Sequence, residues 1–189
     1  MPSVPPAEIS GPTVTLRRYR LTDRDALWES IAASLDHLRP WMPWAQAPPT
    51  EESVLAFLNP AVEGFGAEHP AEYAITVAGS GRFAGGCGLM PRIGPGALEI
   101  GYWLDVRCVG RGLATEAVAL LTTAGLTVDG VDRVEIHCDE ANVRSAAVPE
   151  RLGYRLDRTE DDEIATPAES GRSMIWIATT PPDPIRTDP

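Results

Sequence analysis

Gly110 and Gly112 stand between a stretch that alternates like a strand, Leu98–Leu104, and the start of an amphipathic helix. Glycines at such a junction let successive backbone N–H groups close on an anion, and the helix N-terminus adds partial positive charge. The chemistry on offer is phosphate binding, and Arg107 and Arg111 beside the turn can add charge. Farther on, Asn142 and Ser145 lie three residues apart and share one face of a helix. Asn142 is also a residue type that caps helix N-termini. Near the other end, Leu38-Arg-Pro-Trp-Met-Pro-Trp holds two indoles, Trp41 and Trp44, each directly after a stiffening proline, which suits the wall of a small site.

Composition narrows the chemistry. A formal charge of −11 argues against a nucleic-acid partner, which needs clustered cations, and is compatible with a cationic substrate. All 16 basic residues are arginine. Without lysine there is neither a Schiff base nor a Gly-x-x-x-x-Gly-Lys phosphate loop, and a nucleotide-phosphate enzyme is disfavoured. Cys87, Cys108 and Cys138 follow no zinc or disulfide spacing, and His37, His69 and His137 are isolated, so no metal is expected. No segment reads as a signal peptide or a bilayer span, which makes the cytoplasm the default compartment and a membrane partner unexpected.

The elements that must position these residues follow from periodicity. One domain is expected over residues 13–179, between flexible tails at 1–12 and 180–189. Val14–Tyr19 reads as a strand, and Thr22 with Asp25 as the capped start of a helix whose face is Leu27, Ile31, Leu35 and Leu38. Thr50, Glu51 and Glu52 open a second helix. Strands are expected near 72–78, 82–91 and 97–104, then a long helix from Leu113. A strand at 133–138, a short helix at 142–152 and strands at 154–158 and 173–179 complete the chain, with an acidic loop over 161–171. The class is α+β or mixed α/β: one twisted mixed sheet of about 6–7 strands with helices on both faces.

Arg107-Cys-Val-Gly-Arg-Gly resembles the acyl-CoA pyrophosphate loop of the GCN5-related N-acetyltransferase (GNAT) superfamily, Gln/Arg-x-x-Gly-x-Gly/Ala. Asn142-Val-Arg-Ser followed by Leu152-Gly-Tyr, together with the Trp41/Trp44 loop, resembles the branch of ribosomal-protein (RimJ/RimL-type) N-acetyltransferases. The resemblance implies acetyl-CoA as co-substrate and an acceptor that is a protein N-terminal amine or a small cationic amine, attacked directly in a ternary complex. A homodimer is common in the family.

By the same resemblance, the strand at 97–104 parts from the strand at 133–138 to admit pantetheine. Main-chain groups near Trp103, Leu104 and Val106 would meet pantetheine and the acetyl carbonyl. The amides from Val109 to Leu113, with Arg107, Arg111 and Ala114 alongside, would hold the pyrophosphate. Asn142 would bond the pantetheine amide region, and Ser145 would lie near the thioester sulfur. The family's tyrosine acid falls at Pro149 here, which puts the weight on Ser145. That proline also frees the carbonyl of Ser145, since proline has no N–H to give the residue four back.

For a base, Glu99 falls where some members place a catalytic glutamate; Asp162 and Glu163 are the alternative, and His137 is a third. An amine of pKa ~10.4 is short of its neutral form by about 4.6 kcal/mol at pH 7, an α-amine by only about 1 kcal/mol. A base therefore matters most for lysine-like acceptors. A non-catalytic acyl-CoA-binding module would keep the turn and lose these acid–base groups.

Overall fold

The computed structural model describes residues 4–65 and 69–183. It contains one eight-stranded sheet, a little larger than the sequence suggests. The strands are β1 (Glu8–Ser10), β2 (Val14–Arg18), β3 (Ala71–Val77), β4 (Phe83–Met90), β5 (Ala97–Leu104), β6 (Arg133–Asp139), β7 (Arg155–Asp161) and β8 (Arg172–Ala178). They lie in the order β1-β2-β3-β4-β5-β6-β8-β7. The additional strand is β1, inside the stretch expected to be a flexible leader; it pairs antiparallel with β2. Residues 1–3 and 184–189 of the two expected tails lie outside the described residues.

All neighbours are antiparallel except β5 and β6. Those two pair in parallel only from Ala97–Arg133 to Glu99–Glu135, although both strands run on. This is the parting that the resemblance implies.

Helices α1 (Arg24–Leu38) and α2 (Glu51–Glu63) cover one face of the sheet, and α3 (Leu113–Leu126) and α4 (Val143–Arg151) the other. The larger core joins Leu16, Tyr73, Leu89, Ile100 and Ile136 to Ala117, Val118 and Leu121 of α3. A smaller core joins Tyr19 and Ala74 to Leu27 of α1 and Val54, Leu58 and Ala61 of α2. Thr50 caps α2, accepting from the Ser53 N–H at 3.1 Å. The expected Thr22–Asp25 cap does not form. Asp23 takes that place, accepting from the Arg20 N–H at 2.8 Å while Arg17 pairs with it, because an acid held by an arginine outcompetes a hydroxyl.

The buried stripe of α1 is also more polar than its leucines suggest. Ser30 and Ser34 are buried and face the segment that leaves β5. Ser30 donates to Asp105 Oδ2 at 2.7 Å, and the Val106 N–H donates to Ser34 Oγ at 2.9 Å. On the other face, Glu116 of α3 is buried and accepts from the backbone N–H of Thr13 and Val14 at 2.9 and 3.2 Å. It ties the start of β2 to the helix. The Thr13 hydroxyl donates to it as well, so Glu116→Ala leaves three donors without their partner and is expected to lower unfolding free energy by about 2–4 kcal/mol, read from a urea melt.

Candidate active site

A cavity of about 790 Å³ lies on the α1/α2 side of the sheet and reaches the gap between β5 and β6. Glycines form its floor: Gly86 and Gly88 of β4 and Gly101 of β5 line it, with Gly88 directly opposite Gly101. Neighbouring side chains lie over these glycines, among them Trp103 and Met90. Glu72 of β3 sits so close that a Cβ at Gly88 would lie 2.6 Å from its Oε2, and the Tyr19 hydroxyl fills the space over Gly86. Trp41 and Trp44 close the cavity with Ile31 of α1 and Phe57 of α2. The Trp44 ring meets Trp103 edge-on, with centroids 5.7 Å apart. Thr166, from the acidic loop, donates to the Pro40 carbonyl at 2.6 Å and pins that loop against the tryptophans.

At the inner end, Glu99 faces the cavity with both oxygens held by Arg92, at 2.6 and 2.7 Å. Its parallel neighbour Glu135 is buried and bound by Arg133 and His137, at 2.6 and 2.8 Å. Burial alone would raise Glu135; the two donors override it and hold its carboxyl below the usual range.

Across the gap, Asn142 Oδ1 accepts from the Ser145 N–H at 3.2 Å, so Asn142 does cap α4. Both residues line the cavity. The Ser145 carbonyl, which Pro149 leaves without a helical donor, accepts from the Tyr102 hydroxyl at 2.9 Å, and Ser145 Oγ is within 2.9 Å of the same hydroxyl. Helix α4 continues past Pro149 to Arg151 on this substitute bond. Burial pushes the Tyr102 phenol well above its ordinary value, the Ser145 contact only partly opposing it, so it stays protonated.

The glycine turn lies beyond the outer end of β5. Gly110 and Gly112 have φ of +76° and +75°, a left-handed backbone that strains any residue with a Cβ. The N–H groups from Val109 to Ala114 have no hydrogen-bond partner among the described residues, and they lead into the N-terminus of α3. Free amides at a helix N-terminus are donors of the kind that suit an anion.

Residues 13–155 match the acetyltransferase (GNAT) domain family.

The chain belongs to the GNAT acetyltransferase family.

A putative ribosomal N-acetyltransferase of Bacillus subtilis, YdaF, is 39% identical over 56 residues; that stretch is 30% of this chain and 31% of the relative. Among solved structures, the microcin C7 self-immunity acetyltransferase MccE, in complex with acetyl-CoA and AMP, superposes with a TM-score of 0.83. It is 20% identical, over 94% of this chain and 99% of that one. Mycobacterium smegmatis RimJ, in complex with CoA-disulfide, has a TM-score of 0.77 and 22% identity over 94% and 89% of the two chains. These likenesses establish the acetyltransferase fold.

In this GNAT chain, the cavity brings together Trp41, Trp44, Glu99, Trp103, His137, Asn142, Ser145, Asp162 and Glu163, residues that the sequence scatters over 120 positions. Two of the expected coenzyme contacts have partners within the protein. Asp105 holds the Arg107 Nε and Nη2, and Glu29 its Nη1 at 2.7 Å. Burial by itself would raise Asp105, but these bonds and that from Ser30 hold its carboxyl below the usual range. The Val106 N–H donates to Ser34, and Arg111 and Arg107 are both exposed at the turn.

Among the polar groups of the site that the sequence does not reveal are Tyr102, Tyr19, Glu72 and Arg92. Only Tyr102 had a signal, the freed carbonyl of Ser145. Glu72 has no hydrogen-bond partner among the described residues; burial pushes it up to about 7, with Arg92 partly opposing.

Such a raised carboxyl costs stability. Below about pH 4.5 it is protonated in both folded and unfolded chains and has no effect; as pH rises to about 7 the unfolded chain ionises first and is favoured. Glu72→Gln is therefore expected to raise Tm at pH 8, by an amount equivalent to about 1–2 kcal/mol after allowing for partial solvation, and to leave it unchanged at pH 4. Thermal melts across this pH range check it.

Proposed function

We propose that the protein transfers the acetyl group of acetyl-CoA to a primary amine of a cationic acceptor, by direct attack in a ternary complex. The observation that carries this reading is continuity: one cavity joins the parted strands, where an acyl thioester would end, to a chamber lined with carboxylates. Acetyl-CoA, when bound, supplies the activated acetyl group. The residues present fit it. The free amides of Val109–Ala114 suit a pyrophosphate, with Arg111 the cation within reach. Beyond Glu99 the facing edges of β5 and β6 no longer pair with each other, so backbone donors and acceptors there are open to pantetheine amides, near Trp103 and Leu104. An N–H aimed at the acetyl carbonyl would stabilise the charge that develops on its oxygen. Asn142 has its side-chain N–H₂ group left over after capping.

Ser145 is assigned to the departing thiolate. Its hydroxyl lies against the Tyr102 hydroxyl, which stays protonated and can replenish the proton that Ser145 gives up. Acetyl transfer thus has a donor pair on the leaving-group side although the family's tyrosine position holds proline.

The acceptor enters from the other side, under Trp41 and Trp44. Glu72, Glu99, Asp162 and Glu163 line this chamber, and Arg92 is the only arginine among its lining residues. That surplus favours a cation. A protein N-terminus suits the resemblance to the ribosomal branch, since YdaF bears the name of a ribosomal N-acetyltransferase and RimJ superposes closely. An α-amine also demands least of a base. A polyamine or aminoglycoside is the alternative that the walled chamber favours.

Calorimetry with CoA and acetyl-CoA, followed by thiol release across peptides with free N-termini, polyamines and aminoglycosides, tests the reading. Binding with amine-dependent thiol release is expected. Binding without release from any amine would indicate a coenzyme sensor instead, and no binding would overturn the assignment. Ser145→Ala is expected to lower kcat by about 10- to 100-fold with little change in acetyl-CoA affinity.

A further inference from the structure

Acetyl transfer to an amine requires a proton to leave the acceptor's ammonium, and this inference rests on that reading. The cavity offers several carboxylates as destinations. Glu99 has both oxygens on Arg92. Asp162 and Glu163 stand exposed at the rim. Glu72 differs from all three. It lies half-buried on the floor, pressed over Gly88, with neither oxygen hydrogen-bonded among the described residues. Beside it the Tyr19 hydroxyl is buried and also has no partner, although a buried hydroxyl ordinarily finds one. Two adjacent unsatisfied polar groups on the floor of a cavity mark a place for a ligand that carries N–H donors.

We propose that Glu72 takes the proton from the acceptor's ammonium, and that the Tyr19 hydroxyl accepts a second N–H of the same nitrogen and holds it over Gly88. In the step, one N–H bond breaks and its proton passes to a Glu72 oxygen. The freed lone pair forms the C–N bond at the acetyl carbonyl carbon as the C–S bond breaks. A second proton from nitrogen ends on the thiolate sulfur through Ser145, and the third stays on the product amide. Charge balances, because ammonium and carboxylate become neutral together. Glu72 is then the catalytic base and Tyr19 a positioning residue, while Glu99 fixes Arg92 at the cavity wall.

The electrostatics agree with the geometry. Glu72 faces Tyr19 beyond β2, Cys87 and Arg92 on and after β4, and Glu99 on β5, with His137, Asp162 and Glu163 across the cavity. Arg92 lowers its pKa, but Arg92 is already engaged with Glu99, and burial dominates. A base that titrates near neutrality accepts a proton and returns it to water within one turnover. Tyr19, raised by burial and by Glu72 itself, remains a hydroxyl.

Two measurements on the full chain test this. In the first, protein labelled with ¹³C at glutamate carboxyls and saturated with CoA is titrated from pH 4 to 9. One carboxyl is expected to titrate near 7, to vanish in Glu72→Gln and to persist in Glu99→Gln; a Glu72 carboxyl in the ordinary range would overturn the proposal. In the second, thiol release is followed with a seryl peptide and with spermidine. Glu72→Gln is expected to lower kcat about 100-fold at pH 7, to abolish the limb near pH 7 in kcat/KM, and to leave the calorimetric affinity for acetyl-CoA unchanged. Tyr19→Phe is expected to raise the amine KM several-fold and keep that limb. A Glu72→Gln enzyme with full rate and an intact limb would also overturn it. If wild type acetylates neither amine, the transferase reading fails separately, and the carboxyl titration still decides whether Glu72 is the poised group.

Discussion

The parallel contact between β5 and β6 is three residues long, and the site depends on its ending where it does. Its last row sets Glu99 beside Glu135, two carboxylates on adjacent strands and on the same face. Like charges placed so would repel, yet each is held by its own arginine, Arg92 or Arg133. The row therefore closes the paired part of the sheet firmly. Beyond it the strands take different partners, β4 for β5 and β8 for β6, and the helix dipole and cap of α4 stand at the opening. Two unpaired inner edges inside a folded domain are an unusual expense of hydrogen bonds. A polyamide-like arm is the kind of ligand that recovers them.

Other buried polar groups fix the geometry around this opening. Proline at 149 removes a helical donor, and a tyrosine from the neighbouring strand supplies another, so a departure from the family's residue pattern becomes a crosslink between β5 and α4. Ser30 and Ser34 of α1 do the same for the segment that leads to the glycine turn. Asp105 of that segment and Glu29 of α1 bind Arg107. The free donors of the turn itself are main-chain N–H groups whose positions are set by the fold.

Much of this was legible along the chain. The alternation of Leu98–Leu104, the glycines and the apolar face of the next helix locate the turn, because local periodicity and backbone conformation are sequence-local properties. Asn142 as a cap and the free carbonyl of Ser145 follow from residue type and spacing alone. What escaped depends on contacts between distant segments. Glu72 reads as an ordinary strand glutamate between Ala71 and Tyr73; its character comes from Gly88, sixteen residues on, which lets the carboxyl lie down on the sheet and lose water. Arg107 looks free until Asp105 and Glu29 are seen to hold it, although an aspartate two residues before an arginine was a visible hint. Glu8–Ser10 looks like a proline-rich leader because three residues are too few to show a period, and pairing with β2 decides the matter.

The floor of glycines separates two jobs that most binding pockets mix. The lower surface is laid on glycine backbone committed to the sheet, with Glu72, Tyr19, Trp103 and Met90 resting against it. The upper surface is a short proline-braced loop, with Trp44 half in solvent and Ala45 buried beneath it. Exchange of that loop alone would resculpt the chamber while the reacting centre beneath stayed in register, which makes this scaffold a natural starting point for retargeting by loop grafting.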